Sequence, residues 1–357
     1  MEMNTLLKDA VEIGASDIHL SVGMPPVLRV NGQLIRWAPE GEPHPALRKE
    51  DALKAIQALM SPEQYQMWHE KGEFDFSYSL PGIGRFRVNA YRQRGCASMA
   101  LRPVPYRIPA LESLGVPLAV TYFPERTHGL VLVTGPTGSG KSTTLAALIN
   151  KINQERACHI ITIEDPIEYL YQHQKSIVDQ REVGSDTASL AGALQACLRQ
   201  DPDVISVGEM RDLDTITTAI TAAETGHLVF ATLRTNSTAQ TVDRIIEVFP
   251  REQQEQIKVQ LSAVLQGIIT QQLLPGADGN GRVLATEVLI ATPAVRNLIR
   301  EGKTQQIQTV LQTGVRWGMQ TMDMALCDLV REGKVTQETA LKYTNDQGNI
   351  MRILHMQ

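Results

Sequence analysis

Cysteine is scarce in this 357-residue chain. There are four, Cys96, Cys158, Cys197 and Cys327, and no two lie close in sequence. A sequence-local zinc knuckle is therefore excluded, and a reduced, cytosolic chain is favoured over a disulfide scaffold. Aromatic residues make up only 5%, which argues against a surface that stacks successive nucleobases. Excess basic charge is missing too. The formal net charge is −5, so the molecule as a whole does not attract nucleic acid or anionic lipid. There is no run of ~18 apolar residues, and no membrane span is expected. Met1–Ala10 carries Glu2, Lys8 and Asp9 in place of the basic-then-apolar run of a signal peptide. Internal repeats and low-complexity segments are absent. What is there is an ordinary globular composition, 43% hydrophobic, long enough for about two domains.

One stretch organises the rest. Residues 129–134 are almost continuously apolar, as a strand buried on both faces should be. Gly135, Pro136, Thr137, Gly138, Ser139, Gly140, Lys141 and Ser142 follow, with Thr143 next, and fit G-x-x-x-x-G-K-[ST]. Residues 144–152 have helical spacing. Strand, glycine-rich loop and helix together are the context in which this pattern binds nucleotide phosphates. Glycines let backbone amides approach phosphate oxygens, and the helix N-terminus favours an anion. Lys141 supplies a charge for the β- and γ-phosphates, and the Ser142 hydroxyl a place on Mg²⁺. ATP and Mg²⁺ are the expected ligands.

Around this stretch the chain reads as two units. Residues 1–102 form an α+β domain. Its expected helices are 3–13, 48–59 and 61–71. Its expected strands are 17–20, 27–30, 33–37, 74–78 and 85–91, with a loop at 38–46, and residues 97–102 close the unit. Pro103, Pro105 and Pro109 mark a linker at 103–112. Residues 113–357 alternate strands with helices, the pattern of a mainly parallel sheet. The expected strands are 130–134, 159–163, 204–207, 228–233 and 283–290. The expected helices are 141–152, 187–200, 212–223, 237–247, 251–272 and 293–301, followed by a helical tail over 303–345.

Acids recur at strand ends. Val204-Ile205-Ser206-Val207 runs into Gly208-Glu209, an apolar strand ending in a carboxylate. At the ligand-binding edge of a parallel sheet, Glu209 could polarise the water that attacks the γ-phosphate or hold Mg²⁺ through water. Ile161-Thr162-Ile163 runs into Glu164, Asp165 and Glu168, and Glu164 joins Ser142 as a candidate around the metal. By itself such an acidic loop is more often simply solvated. Five arginines, Arg85, Arg87, Arg92, Arg94 and Arg102, fall in a stretch without acids. Period-2 spacing sets Arg85 and Arg87 on one strand face. They could reach phosphate in trans, bind nucleic acid, or form a plain basic face, nucleic acid being the weakest reading. His227 precedes and Arg234 follows the apolar run Leu228–Leu233. A lone histidine is usually structural, but here His227 could sense the γ-phosphate.

Taken together, these residues resemble the motor ATPases of secretion systems and type IV pili, over nearly the whole chain. The resemblance is carried by Gly14–Leu20, Arg85–Ala90, Gly135–Ser142, Glu164–Glu168, Gln180–Gly184, Asp203–Asp212 and Glu224–Thr235. It implies a PAS-like N-terminal domain, a RecA-like P-loop ATPase domain, and a homo-hexameric ring with ATP between subunits. It also implies Glu209 as catalytic glutamate, supported by Lys141, Glu164 and His227, with Arg85, Arg87 and Arg102 reaching the nucleotide. Thr225 and Arg234 are candidates for a subunit interface, with a nucleotide-facing contact the alternative for Arg234.

Ala294-Val295-Arg296-Asn297-Leu298-Ile299-Arg300-Glu301 resembles the A-I-R-N-L-I-R-E motif of the pilus-retraction branch. Val295, Leu298 and Ile299 share a helix face, leaving Arg296, Asn297 and Arg300 exposed for a partner. The four-cysteine zinc module of many extension ATPases is absent. The partners implied are an inner-membrane pilus platform protein and, through it, pilins, at the cytoplasmic face of the membrane. The chain departs from the family at Arg234, where histidine is usual, at Ser206, where an aliphatic residue is usual, and at Thr127-His128 in place of Pro-Arg. The competing readings are a low-activity accessory subunit, an extension or secretion ATPase, and a nucleic-acid translocase.

Overall fold

The structure is a computed structural model that describes residues 2–42, 44–105, 107–279, 281–344 and 346–355. Pro43, Tyr106 and Asn345 belong to the expected loop, linker and helical tail, and lie outside the described residues. By its contacts the chain divides into two units. The first is Met1–Arg107 with Pro166–Leu170, and the second is Ile108–Asp165 with Tyr171–Gln357.

The first unit contains α1 (Met3–Glu12), β1 (Asp17–Ser21), β2 (Val27–Val30), β3 (Gln33–Arg36), α2 (Lys49–Leu59), α3 (Pro62–Lys71), β4 (Glu73–Leu80), β5 (Gly84–Gln93) and β6 (Cys96–Val104). The strands form an antiparallel sheet ordered β3-β2-β1-β6-β5-β4. Alternation sets its two faces. In β5, Phe86, Val88 and Ala90 are buried with Leu6, Leu7 and Ile56 from the helices, while Arg85 and Arg87 lie on the other face. The Ser61-Pro62 start of α3 behaves as its residue types require: Ser61 Oγ accepts from Gln64 N, and Gln64 Oε1 accepts from Ser61 N.

The second unit contains β7 (Gly129–Thr134), α4 (Lys141–Glu155), β8 (His159–Glu164), β9 (Ile177–Glu182), α5 (Leu190–Cys197), β10 (Val204–Val207), α6 (Leu213–Glu224), β11 (Leu228–Leu233), α7 (Thr238–Glu247), α8 (Gln254–Val264), β12 (Leu265–Pro275), β13 (Arg282–Ile290), α9 (Pro293–Arg300), α10 (Ile307–Thr313), α11 (Met322–Arg331), α12 (Gln337–Tyr343) and α13 (Gln347–His355). The sheet order is β13-β12-β7-β11-β10-β8-β9, parallel throughout except for the edge strand β13. Every residue of β7, β10 and β11 is buried. Leu130 and Leu132 pack with side chains of α6, α7 and α8. Val131 and Val133 pack with α4 on the other face. Two covered faces explain the unbroken apolar runs.

The expected helix over 251–272 is corrected. A 3-10 turn at Arg251–Gln253 leads into α8, which stops at Val264, and Leu265–Pro275 is a central strand. Gly267 lets this strand pass close to its neighbours. A Cβ at this position would lie 2.3 Å from Phe123 Cζ and 2.7 Å from Leu289 O, so the backbone approaches a buried ring that a side chain would displace. Gly267→Ala is therefore expected to destabilise the protein by about 1–3 kcal/mol, the usual cost of overpacking. Denaturant unfolding checks it, and an unchanged midpoint would show that Phe123 moves aside freely. The tail is also more broken than the expected single helical stretch. It consists of 3-10 turns at Thr304–Gln306 and Val315–Trp317 between short helices, and it ends in α13.

Candidate functional site

The six parallel strands bring their C-terminal ends to one edge, where loops can converge on a ligand. Thr134 at the end of β7 pairs in register with Leu233 at the end of β11. Between Thr134 and α4 the loop turns over on itself. Gly135 has φ 141° and Gly138 φ 80°, and a Cβ at Gly135 would lie 2.4 Å from Gln271 O and 2.6 Å from Ser139 Oγ. Only glycine fits. Gly135 and Ser139 are buried while Pro136, Thr137 and Gly138 face outward. Ser139 Oγ and Gln271 Oε1 are buried without a hydrogen-bond partner among the described residues. Lys141 Nζ bends back over the loop and donates to Gly135 O (2.9 Å) and Pro136 O (2.8 Å). Ser142 and Thr143 are half-buried on the first turn of α4. A narrow glycine cradle, a helix N-terminus and a lysine over the same carbonyls fit a polyphosphate.

Glu209 follows β10 and is held from two sides. Gly208 N donates to Ile163 O at 2.8 Å, and Met210 N donates to Thr232 O at 3.0 Å. Thr232 Oγ1 donates to Gly208 O at 2.5 Å. The carboxylate carries two guanidinium groups. Arg211 Nη2 donates to Oε2 (2.6 Å), Arg234 Nη2 donates to Oε2 (3.1 Å), and Arg234 Nε lies 2.7 Å from Oε1. Burial pushes the Glu209 carboxyl upward, but the two arginines outweigh it and hold it below the usual carboxylate range. Arg234 thus faces the nucleotide edge through Glu209 of its own chain. Glu164 reaches the same edge, but its Oε1 accepts from Thr162 Oγ1 (2.7 Å) and Gln180 Nε2 (3.2 Å), so this carboxylate is tied to β8 and β9.

His227 is separated from these groups. Leu228, the next residue, pairs with Gly129 and Val204 at the start of their strands. The five steps of β11, at ~3.3 Å per residue, put His227 at the opposite sheet edge from the loop. Its Nδ1 lies 2.9 Å from Ala222 O and 3.2 Å from Thr225 Oγ1, and Thr225 Oγ1 donates to Thr221 O at 3.0 Å. Within one chain, therefore, His227 does not sense a γ-phosphate held at Gly135–Ser142, and both residues finish helix α6.

The arginines of the first unit have local partners. Arg102 Nη2 donates to Asp17 Oδ1 at 2.7 Å, Arg87 Nη1 donates to Glu168 Oε1 at 3.4 Å, and Arg85 Nη1 donates to Ser79 Oγ at 3.2 Å. Three residues at the nucleotide edge were given no role by the sequence. Gln271 donates Nε2 to Thr144 Oγ1 (2.8 Å) beneath the loop, Arg282 donates to Gly138 O (3.3 Å), and Arg211 pairs with Glu209.

Residues 1–342 match the family described as Type II/IV secretion system protein. The chain belongs to this family. It is 47% identical over 340 residues to the type IV pilus retractation ATPase PilT of Pseudomonas aeruginosa, covering 95% of this chain and 97% of the relative. It is 42% identical over 354 residues to the type IV pilus ATPase PilU of the same organism, covering 99% and 91%. A crystal structure of the pilus retraction motor PilT with bound ADP matches it with a TM-score of 0.91 at 49% identity, covering 99% of both chains.

In this member of the secretion-system family, the expectation that Arg296 is exposed for a partner is corrected. Its Nη1 donates to Ser262 O (2.7 Å) and Ala263 O (2.5 Å), and its Nε to Ala291 O (3.1 Å). Helix α8 passes directly into a strand, and Arg296 serves the carbonyls its last turn leaves open. Asn297 and Arg300 are exposed. Arg296→Ala should cost about 1–3 kcal/mol by stranding those carbonyls, while Asn297→Ala should be close to neutral. Thermal unfolding of the two variants separates them, and equal melting temperatures would contradict the capping role.

Proposed function

We propose that this protein hydrolyses ATP and uses the work to retract type IV pili. The observation that carries the reading is the glycine cradle and lysine set beside Glu209 at one sheet edge, in a chain alike over nearly its full length to the retraction ATPase PilT. Lys141 and the loop amides hold the β- and γ-phosphates. Glu209 orients the water whose oxygen attacks the γ-phosphorus as the bond to the β–γ bridging oxygen breaks, releasing ADP and inorganic phosphate. Among the described residues no group of three or more His, Cys, Asp or Glu side chains is placed to hold a metal. Mg²⁺ would be held by the Ser142 hydroxyl together with phosphate oxygens, with Glu164 as a second candidate. When bound it neutralises charge developing on those oxygens.

The working form is a homo-hexamer at the cytoplasmic face of the inner membrane. Residues 1–102 act as the PAS-like domain and 113–357 as the RecA-like ATPase domain, joined by a linker at 103–112. Among the described residues, no helix is long and apolar enough to cross a membrane. Arg85, Arg87 and Arg102 meet the neighbouring subunit's nucleotide after releasing their present partners. Thr225 and His227 face a subunit boundary rather than their own P-loop, and Asn297 and Arg300 meet the platform protein. Phosphate release by the purified ring, with and without chelation of Mg²⁺, tests the enzymatic part. Absence of ATP turnover would overturn it and favour the accessory subunit.

A further inference from the structure

Arg234 stands directly after β11, and one edge of its guanidinium runs along both oxygens of the Glu209 carboxylate, Nε 2.7 Å from Oε1 and Nη2 3.1 Å from Oε2. The residues flanking them are tied as well, Met210 N donating to Thr232 O and the Thr232 hydroxyl to Gly208 O. Arg211 adds a second donor to Oε2. A carboxylate oxygen has two acceptor positions. Those of Oε2 are both taken, whereas among the described residues Oε1 meets Arg234 Nε alone and retains room for one more donor. Without this frame the glutamate would be free to rotate about its side-chain torsions, and its oxygens would point in many directions.

We propose that Arg234 is a positioning residue for hydrolysis: it holds the Glu209 carboxylate edge-on so that Oε1 is the atom left to take the attacking water. This rests on the reading of Glu209 as the water-orienting group. Two permanent cations also weaken Glu209 as a base, which opposes catalysis. Orientation outweighs that loss, because phosphoryl transfer goes through a loose transition state in which placing the water in line matters more than drawing off its proton. A lysine cannot substitute, being a point charge without the planar fork that spans both oxygens.

The test compares kcat, KM for ATP and ring mass for wild type, Arg234→Ala, Arg234→Lys, Glu209→Gln and the Glu209→Gln/Arg234→Ala double variant. Arg234→Ala should lower kcat by about 10- to 100-fold, the size expected for a misplaced reactant, with KM and ring mass nearly unchanged. Arg234→Lys should recover little of the loss. In the Glu209→Gln background, removing Arg234 should cost nothing further, because the group it positions is already disabled. The inference is overturned if Arg234→Ala keeps or raises kcat, if Lys restores it fully, if the loss falls on KM or ring mass, or if it recurs undiminished in the double variant. A wild-type ring without turnover would contradict the proposed function itself. Glu209-dependent turnover indifferent to Arg234 would contradict only this inference.

Discussion

Glu209→Gln should leave ATP bound and lower kcat by about 100-fold or more, within the range attributed to a positioned acid–base group. The substitution preserves volume, so the β10 edge and its backbone bonds to β8 and β11 should survive. What changes is the carboxylate. An amide offers one acceptor and one donor group, and here both oxygens face guanidinium nitrogens. Whichever way the amide is turned, an NH₂ meets a cationic donor, so the side chain loses its charge and part of its anchoring together. Nucleotide titration with single-turnover kinetics separates binding from chemistry. Hydrolysis at the wild-type rate would move the role to another acid, Glu164 at the same edge or Glu168 in the loop that follows it.

The second large effect is expected at Lys141. Its ammonium bonds two loop carbonyls and stands over the cradle that the phosphates would enter. Lys141→Ala removes both the loop tether and a cation next to a polyanion. Hydrogen bonds to charged groups contribute about 1.5–3 kcal/mol each, so ATP affinity should fall by roughly 10- to 100-fold for each bond lost, and turnover with it. The fold should persist, since β7 and α4 are held by apolar packing on both faces of the sheet. Circular dichroism beside nucleotide titration decides it. Wild-type affinity in a folded variant would remove the loop from the nucleotide site.

Where a physical requirement acts on neighbouring residues, the chain was legible. An apolar strand running into Gly135–Ser142 has few alternatives, and the alternation of Arg85, Phe86, Arg87 and Val88 correctly divided the two faces of β5. Strand β12 was hidden because α8 turns into it at Leu265 with no glycine, proline or polar turn between them, and Leu265, Ile268, Ile269 and Leu273 repeat at helical spacing. Strand β9 was hidden because an edge strand reading Asp179-Gln180-Arg181 needs little apolar burial. The side chains that depend on tertiary neighbours were out of reach: Arg211 and Arg282 near the nucleotide edge, Gln271 below it, and Arg296 at the end of α8. The box from Glu224 to Thr235 hid a simpler lesson. Residues on either side of one strand emerge at opposite sheet edges, and this sends Arg234 to Glu209 and His227 away from it.

The account stands most directly on one measurement: retraction of fluorescently labelled type IV pili in cells whose only copy of this chain is wild type or Glu209→Gln. Wild-type cells should shorten their pili, and the variant cells should assemble pili that stay extended, with the variant protein present at normal levels. Retraction at the wild-type rate with Glu209→Gln would show that hydrolysis at this site does not drive the movement, and would contradict the assignment.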